Sequence, residues 1–186
     1  MTKKKKKTKK EITTLTIEYR RPLVTGKKKI AIDTNIIINL IDNPECCNYL
    51  DTLLKESDLF YTHEICVGEA KDVLSKKPFN YSRIEAQSKV DDFIKKYSIT
   101  IIKRNPTNKR LAWELVDLCK SCSIDLHPPD NFILADWKKA GITHAYTQDD
   151  ELMDACNLVG IVASRLFDLK SEDEEKIRKF FKKMRS

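Results

Sequence analysis

The stretch Lys29-Ile30-Ala31-Ile32-Asp33-Thr34-Asn35-Ile36-Ile37-Ile38 sets a carboxylate and an amide inside an otherwise apolar run. β-branched residues that stop abruptly at polar ones, then resume at helical spacing, predict a buried parallel strand running into a helix. Asp33 then stands at the strand's carboxyl end. In an open α/β sheet ligands bind at that end, because the strand-to-helix turns leave a crevice there. Asp33 or Thr34 acting only as a cap of the next helix explains the same residues. On this stretch alone the two readings stand level.

Outward from it, strands are predicted at Leu59 to Thr62, Ile99 to Ile102, Ala145 to Thr147 and Val159 to Ala163, with a loose edge strand at Thr13 to Tyr19. Between them fall helical patterns: Ile36 to Ile41, Glu45 to Lys55, His63 to Leu74, Tyr81 to Tyr97, Thr107 to Cys122, Asp130 to Ala140 and Asp149 to Asn157. Strands alternating with helices predict an α/β fold, a three-layer α/β/α sandwich around a central parallel sheet of about five strands. Ser171 and Glu174 form a capping box for a last helix, with Ile177, Phe180, Phe181 and Met184 as its apolar stripe. That stripe docks on its own domain or marks a homodimer or partner contact.

The chain has 186 residues, 41% of them hydrophobic, enough for one core. Residues 1–29 hold 12 Lys or Arg against Glu11 and Glu18, while the remainder has 23 basic and 26 acidic residues. A mildly acidic body thus carries a basic arm. Clustered Lys gives salt-sensitive, sequence-independent affinity for nucleic acid, and equally serves as a solvated tail or an address signal. The expected organisation is a largely disordered arm at 1–28, a catalytic domain at 29–170 and an amphipathic helix at 171–186.

No apolar run reaches the roughly 20 residues a membrane span needs, and the Lys-rich start lacks a signal peptide's apolar stretch. The expectation is a cytoplasmic protein with no membrane partner. Six scattered cysteines fit reduced thiols, and Cys119-Lys-Ser-Cys122, despite its zinc-like spacing, lies among apolar positions of a helix and reads as core filling. With four glycines in all, no Walker A or G-x-G-x-x-G loop exists, and no serine elbow or H-E-x-x-H motif is present. Acids are left as the chemistry.

Asp33 and Asp149 follow predicted strands, Asp130 begins a helix, and Glu69 lies within the helix after the second strand. Each has a plainer explanation. Asp130 suits an N-cap, an isolated helical Glu usually faces solvent, and Thr147 with Asp150 looks like a capping box that leaves Asp149 free of that duty. Asp136, six residues from Asp130 and about 120° round the helix, is expected at the surface. Asp150 is able to exchange roles with Asp149.

Taken together, Ile30-Ala31-Ile32-Asp33-Thr34-Asn35, Val67-Gly68-Glu69, Asp130-Asn131-Phe132-Ile133-Leu134-Ala135 with Ala140-Gly141, and Tyr146-Thr147-Gln148-Asp149 resemble the PIN-domain family of metal-dependent ribonucleases over about residues 28 to 165. The resemblance implies that Asp33, Glu69, Asp130 and Asp149 form the catalytic site and hold Mg²⁺ or Mn²⁺. It also implies RNA as substrate and, for toxin relatives, an antitoxin-like protein partner. The basic arm and terminal helix exceed a minimal toxin of this kind. The chemistry agrees: Mg²⁺ prefers hard oxygen ligands and keeps several waters, and packed carboxylates repel one another without a cation. The activity implied is hydrolysis of RNA phosphodiester bonds by a metal-activated water.

Three alternatives stand beside it. A non-catalytic RNA-binding scaffold would use the same fold and arm, and a phosphatase would use Asp33 as nucleophile, although Asn35 stands where such enzymes carry a second Asp. A partner-binding module built on the terminal helix is a third.

Overall fold

The computed structural model describes residues 27–43 and 59–166. The arm, the edge strand at Thr13 to Tyr19, the helix at Glu45 to Lys55 and the terminal helix all lie outside the described residues. The elements run β1 (Lys29–Ile32), α1 (Thr34–Asp42), β2 (Leu59–His63), α2 (Glu64–Leu74), α3 (Arg83–Lys96), β3 (Thr100–Ile102), α4 (Lys109–Ser121), α5 (Asp130–Ala140), β4 (His144–Tyr146), α6 (Asp150–Leu158) and β5 (Val162–Ser164), with one 3-10 turn at Pro106–Asn108.

The strands form one five-stranded sheet in the order β3-β2-β1-β4-β5, parallel throughout. β1 is central, with Ile30 paired to Phe60 on one side and to His144 on the other. A central parallel strand is covered on both faces, which is why Ile30, Ala31 and Ile32 are apolar without alternation, and all three are buried. On the helices, α1 packs on α2 and α2 on α3, while α4 packs on α5 and α5 on α6. This is the three-layer α/β/α arrangement expected from the sequence.

The chain adds β2 and β3 on one side of β1 and then crosses to add β4 and β5 on the other. The strand order therefore reverses between β1 and β4. At such a switch point adjacent helices leave in opposite directions and a crevice opens at the carboxyl ends of the two strands. Asp33 follows β1 directly, and Thr147 to Asp149 follow β4.

Local chemistry accounts for the boundaries. Ser82 and Glu85 close a reciprocal capping box on α3, which buries Ala86, Val90 and Phe93 along one side. Gly141 ends α5 at φ 72°, a left-handed conformation open to glycine at little cost. The fifth strand starts later than Val159, because α6 continues to Leu158 and Gly160, at φ 87°, turns the chain first. Cys119 is buried as expected, but Cys122 is exposed at the end of α4, so only one of the pair fills the core. None of the helices among the described residues is long and apolar enough to cross a membrane.

Candidate active site

Asp33 serves both functions that the sequence left level. Its Oδ1 accepts the Thr34 N–H at 2.7 Å and so caps α1, while its place at the end of β1 puts it in the switch-point crevice. Oδ1 also accepts the Cys66 thiol at 3.6 Å. Oδ2 accepts the Asn35 side-chain amide at 2.9 Å and the Thr147 hydroxyl at 2.7 Å. Four donors thus fix one carboxylate. The donors are neutral, and Asp33 is 6% exposed. Burial is the largest influence on its acidity, and with the carboxylates of Asp149 and Glu69 it raises the pKa from 3.8 to about 6, against the lowering effect of Thr147 and Thr34.

Glu69, little more than one turn inside α2, is half-buried and reaches the start of α1, where it accepts the Thr34 hydroxyl at 2.8 Å. Thr34 therefore links two acids 36 positions apart, donating its N–H to one and its hydroxyl to the other. Asp149 arrives from β4. Contrary to the capping-box expectation, Asp149 itself caps α6, its Oδ1 accepting the Leu152 N–H at 3.0 Å. Thr147 is occupied elsewhere: its hydroxyl donates to Asp33 and accepts the Asp149 N–H at 3.0 Å. Asn35 closes the ring, its Oδ1 accepting the Gln148 N–H at 3.1 Å.

Asp130 is the first residue of α5 and 8% exposed; the helix's N-cap is Pro129, so Asp130 does not have the capping role its sequence position suggested. Its charge is felt at the Cys66 thiol together with those of Asp33 and Glu69, and at Cys156 together with Asp33. Burial first, and then these acids, push both thiols up. Asp33, Glu69 and Asp149 thus act on one another at the carboxyl edge of the sheet, and Asp130 is linked to Asp33 through the two thiols that both act on.

Asp136 is not at the surface. It is 3% exposed, with Oδ2 at 3.1 Å from His63 Nε2 and accepting the Asn105 N–H at 3.3 Å, while Oδ1 accepts the Asn108 side-chain amide at 2.6 Å. Asp150 leaves the cluster, paired with Arg165. Of the supporting residues, Thr34 and Thr147 were read from sequence only as possible caps and Asn35 only as a departure from a phosphatase pattern, while Cys66 drew no role beyond its place on a helix.

No group of three or more His, Cys, Asp or Glu side chains among the described residues is arranged to enclose a metal ion. The donor chemistry nevertheless suits Mg²⁺ or Mn²⁺. The donors are carboxylate oxygens, those of Asp33 and Asp130 are buried, burial raises the Asp33 pKa to about 6, and Mg²⁺ is bound through one or two carboxylates while keeping its waters.

A family model described as PIN domain matches residues 30–158. No curated protein matches the sequence. Among solved structures, VapBC2 from Rickettsia felis bound to a DNA fragment from its promoter aligns at 17% identity and TM-score 0.58, covering 74% of this chain and 98% of that one. Mycobacterium tuberculosis VapC20, described as a sarcin–ricin loop cleaving toxin, aligns at 17% identity and TM-score 0.52, covering 68% and 94%. A toxin–antitoxin complex from Klebsiella pneumoniae aligns at 16% identity and TM-score 0.51, covering 75% and 99%. At these identities the likeness is one of fold.

Proposed function

The chain belongs to the PIN-domain family, and from that membership we propose that it is a metal-dependent endoribonuclease, with Asp33, Glu69, Asp130 and Asp149 as its catalytic and metal-holding acids. The observation that carries the reading is the buried Asp33 carboxylate, oriented by four donors and raised in pKa partly by Glu69 and Asp149. A stable fold gains nothing from gathering like charges around a buried acid unless a cation relieves them.

Asp33 and Asp130 are the direct ligands in this proposal, and Glu69 and Asp149 hold water or a second ion. The thiol contact from Cys66 is the one that yields when Asp33 takes a ligand, since S–H is a weaker donor than the amides and hydroxyl that hold the other positions. When bound, Mg²⁺ or Mn²⁺ there supplies Lewis acidity toward a phosphate oxygen and lowers the pKa of its bound water. The chain's own residues do the positioning. Thr34 fixes Glu69, Thr147 fixes Asp33, and Asn35 ties the β1 turn to the β4 turn, so the acids keep their spacing as an RNA phosphate approaches. Asp33 as a phosphatase nucleophile is disfavoured, because Asn35 stands where such enzymes carry a second Asp and its amide is spent on Asp33 itself.

An antitoxin-like protein partner follows by analogy with the K. pneumoniae complex. Cleavage is tested with mixed single-stranded RNA and Mg²⁺ or Mn²⁺, comparing the wild type with Asp130→Asn, with and without chelator. Cleavage by the wild type alone, abolished by chelation, supports the nuclease; retention of RNA without cleavage by either protein supports the scaffold.

A further inference from the structure

We infer that a cleft between the end of β3, the start of α4 and the first turn of α5 binds an unpaired nucleobase with its phosphate, one nucleotide of the RNA strand; this rests on the ribonuclease reading for its consequence but not for its binding test. The cleft holds about 380 Å³ and is lined by Glu64, Arg104, Asn105, Pro106, Lys109 and Phe132. It lies at the same edge of the sheet as the acids. Arg104 and Asn105 leave β3 at its carboxyl end, and Phe132 is two residues along α5 from Asp130, about 3 Å of helix rise.

Three features of the cleft belong to nucleotide recognition. The Arg104 guanidinium carbon sits 4.2 Å from the centroid of the Phe132 ring, so the cation is laid on one aromatic face and its outer side remains available. Arg guanidinium planes and aromatic rings are the surfaces on which unpaired bases stack. Trp113, beside the cleft and not in its lining, meets Phe132 edge-on, with centroids 6.3 Å apart at 81°, and is 46% exposed. Lys109 and Trp113 are four residues apart on α4 and therefore neighbours on its surface.

Charge points the same way. Neither Arg104 nor Lys109 has a carboxylate within ion-pair distance among the described residues, whereas Arg110, one position on, is paired with Glu114 at 2.8 Å. Glu64 uses an oxygen to accept the Arg104 N–H at 2.8 Å, which fixes the loop. Two cations with no ion pair among the described residues, beside the exposed Trp113 ring and the outer side of the Arg104 guanidinium, match a phosphate attached to a base. An acidic peptide would engage the cations and leave the rings unused, and a duplex offers phosphates but no free base face.

The test uses the full chain in chelator, so that nothing is cut. A 12-nucleotide oligo(U) and a 12-base-pair RNA duplex are titrated while following tryptophan emission and fluorescence anisotropy of the labelled strand. Of the two tryptophans Trp113 is exposed and Trp137 fully buried, so a change in emission reports Trp113. The expected result is a change in emission with oligo(U) that is absent in Trp113→Ala, and affinity for oligo(U) weakened about tenfold in Trp113→Ala and Arg104→Gln. Arg110→Gln, the same loss of charge outside the cleft, should shift affinity less than about twofold, and duplex affinity should respond alike to both Arg variants. Unchanged emission at saturating oligo(U), equal effects of Arg104→Gln and Arg110→Gln on oligo(U), or competition by poly-glutamate as effective as by oligo(U) would each overturn the proposal. Binding with the expected pattern in a protein that never cleaves defeats the nuclease reading alone, and cleavage without the pattern defeats this one alone.

Discussion

His63 and Asp136 form a buried pair, Nε2 to Oδ2 at 3.1 Å, that ties the end of β2 to the middle of α5. His63 Nδ1 accepts the Ile65 N–H at 3.1 Å as the cap of α2, which leaves the ring proton on Nε2, facing Asp136. Asp136 in turn receives the Asn105 backbone and Asn108 side chain. Asp136→Ala should strand three buried or half-buried donors at once and destabilise the fold by about 3 kcal/mol in urea unfolding. A loss below about 1 kcal/mol would show that water satisfies these donors and that the pair is incidental.

Thr34 is the link between Asp33 and Glu69. Thr34→Val keeps the size and β-branching and the backbone N–H cap, and removes only the hydroxyl that positions Glu69. Groups that orient metal ligands typically contribute 10- to 100-fold, so the Mn²⁺ concentration giving half-maximal cleavage should rise by about tenfold, with stability changed by less than about 1.5 kcal/mol. Unaltered Mn²⁺ dependence would remove Glu69 from the proposed site.

The acidity of Asp33 sets a pH dependence opposite to that of an ordinary salt-bridged carboxylate. Its folded value, about 6, lies above 3.8, so between those limits the folded protein keeps a proton that the unfolded chain has released. The stability it contributes is complete below about pH 4 and lost as pH rises through 6, on the order of 3 kcal/mol. Other carboxylates also titrate there, so the readout is the difference between wild type and Asp33→Asn in chelator. Wild type should lose stability relative to the variant from pH 4 to pH 7, as measured by unfolding midpoints. A pH-independent difference would contradict the burial argument.

What the sequence disclosed and what it concealed divide by range. Ile30 to Asp33 reads correctly because a covered parallel strand needs only local apolar continuity, and the alternation of strands with helices leaves few topologies. Asp136 was misplaced because its angle from Asp130 says where it points and not what lies there. The groups that meet it come from His63 and the turn at Asn105 to Asn108, brought in by β2 and β3. Asp149 was misread for a related reason. Thr147 is a plausible cap until the neighbouring β1 turn presents Asp33 to its hydroxyl, and that contact spans 114 positions. The strand-to-strand meeting at the switch point was thus inferable, while the identity of each hydrogen-bond partner across it was not.

Asp130 and Asp136 share α5 and should fail differently when neutralised. Asp130→Asn removes one of the three carboxylate charges that act on Cys66, but forfeits a favourable charge in the helix's first turn, commonly 0.3–1 kcal/mol. The opposed changes should leave stability in chelator within about 1 kcal/mol of wild type. The loss should appear on adding Mn²⁺. An ion bound only by the folded state at a hundred times its Kd adds about 2.7 kcal/mol, so wild type should show a clear rise in Tm and Asp130→Asn little or none. Asp136→Asn should behave in reverse, starting at a lower Tm and keeping the Mn²⁺ increment, because Asp136 is spent on His63 and the turn at Asn105 to Asn108. An undiminished Mn²⁺ increment in Asp130→Asn would take that residue out of the proposed metal site.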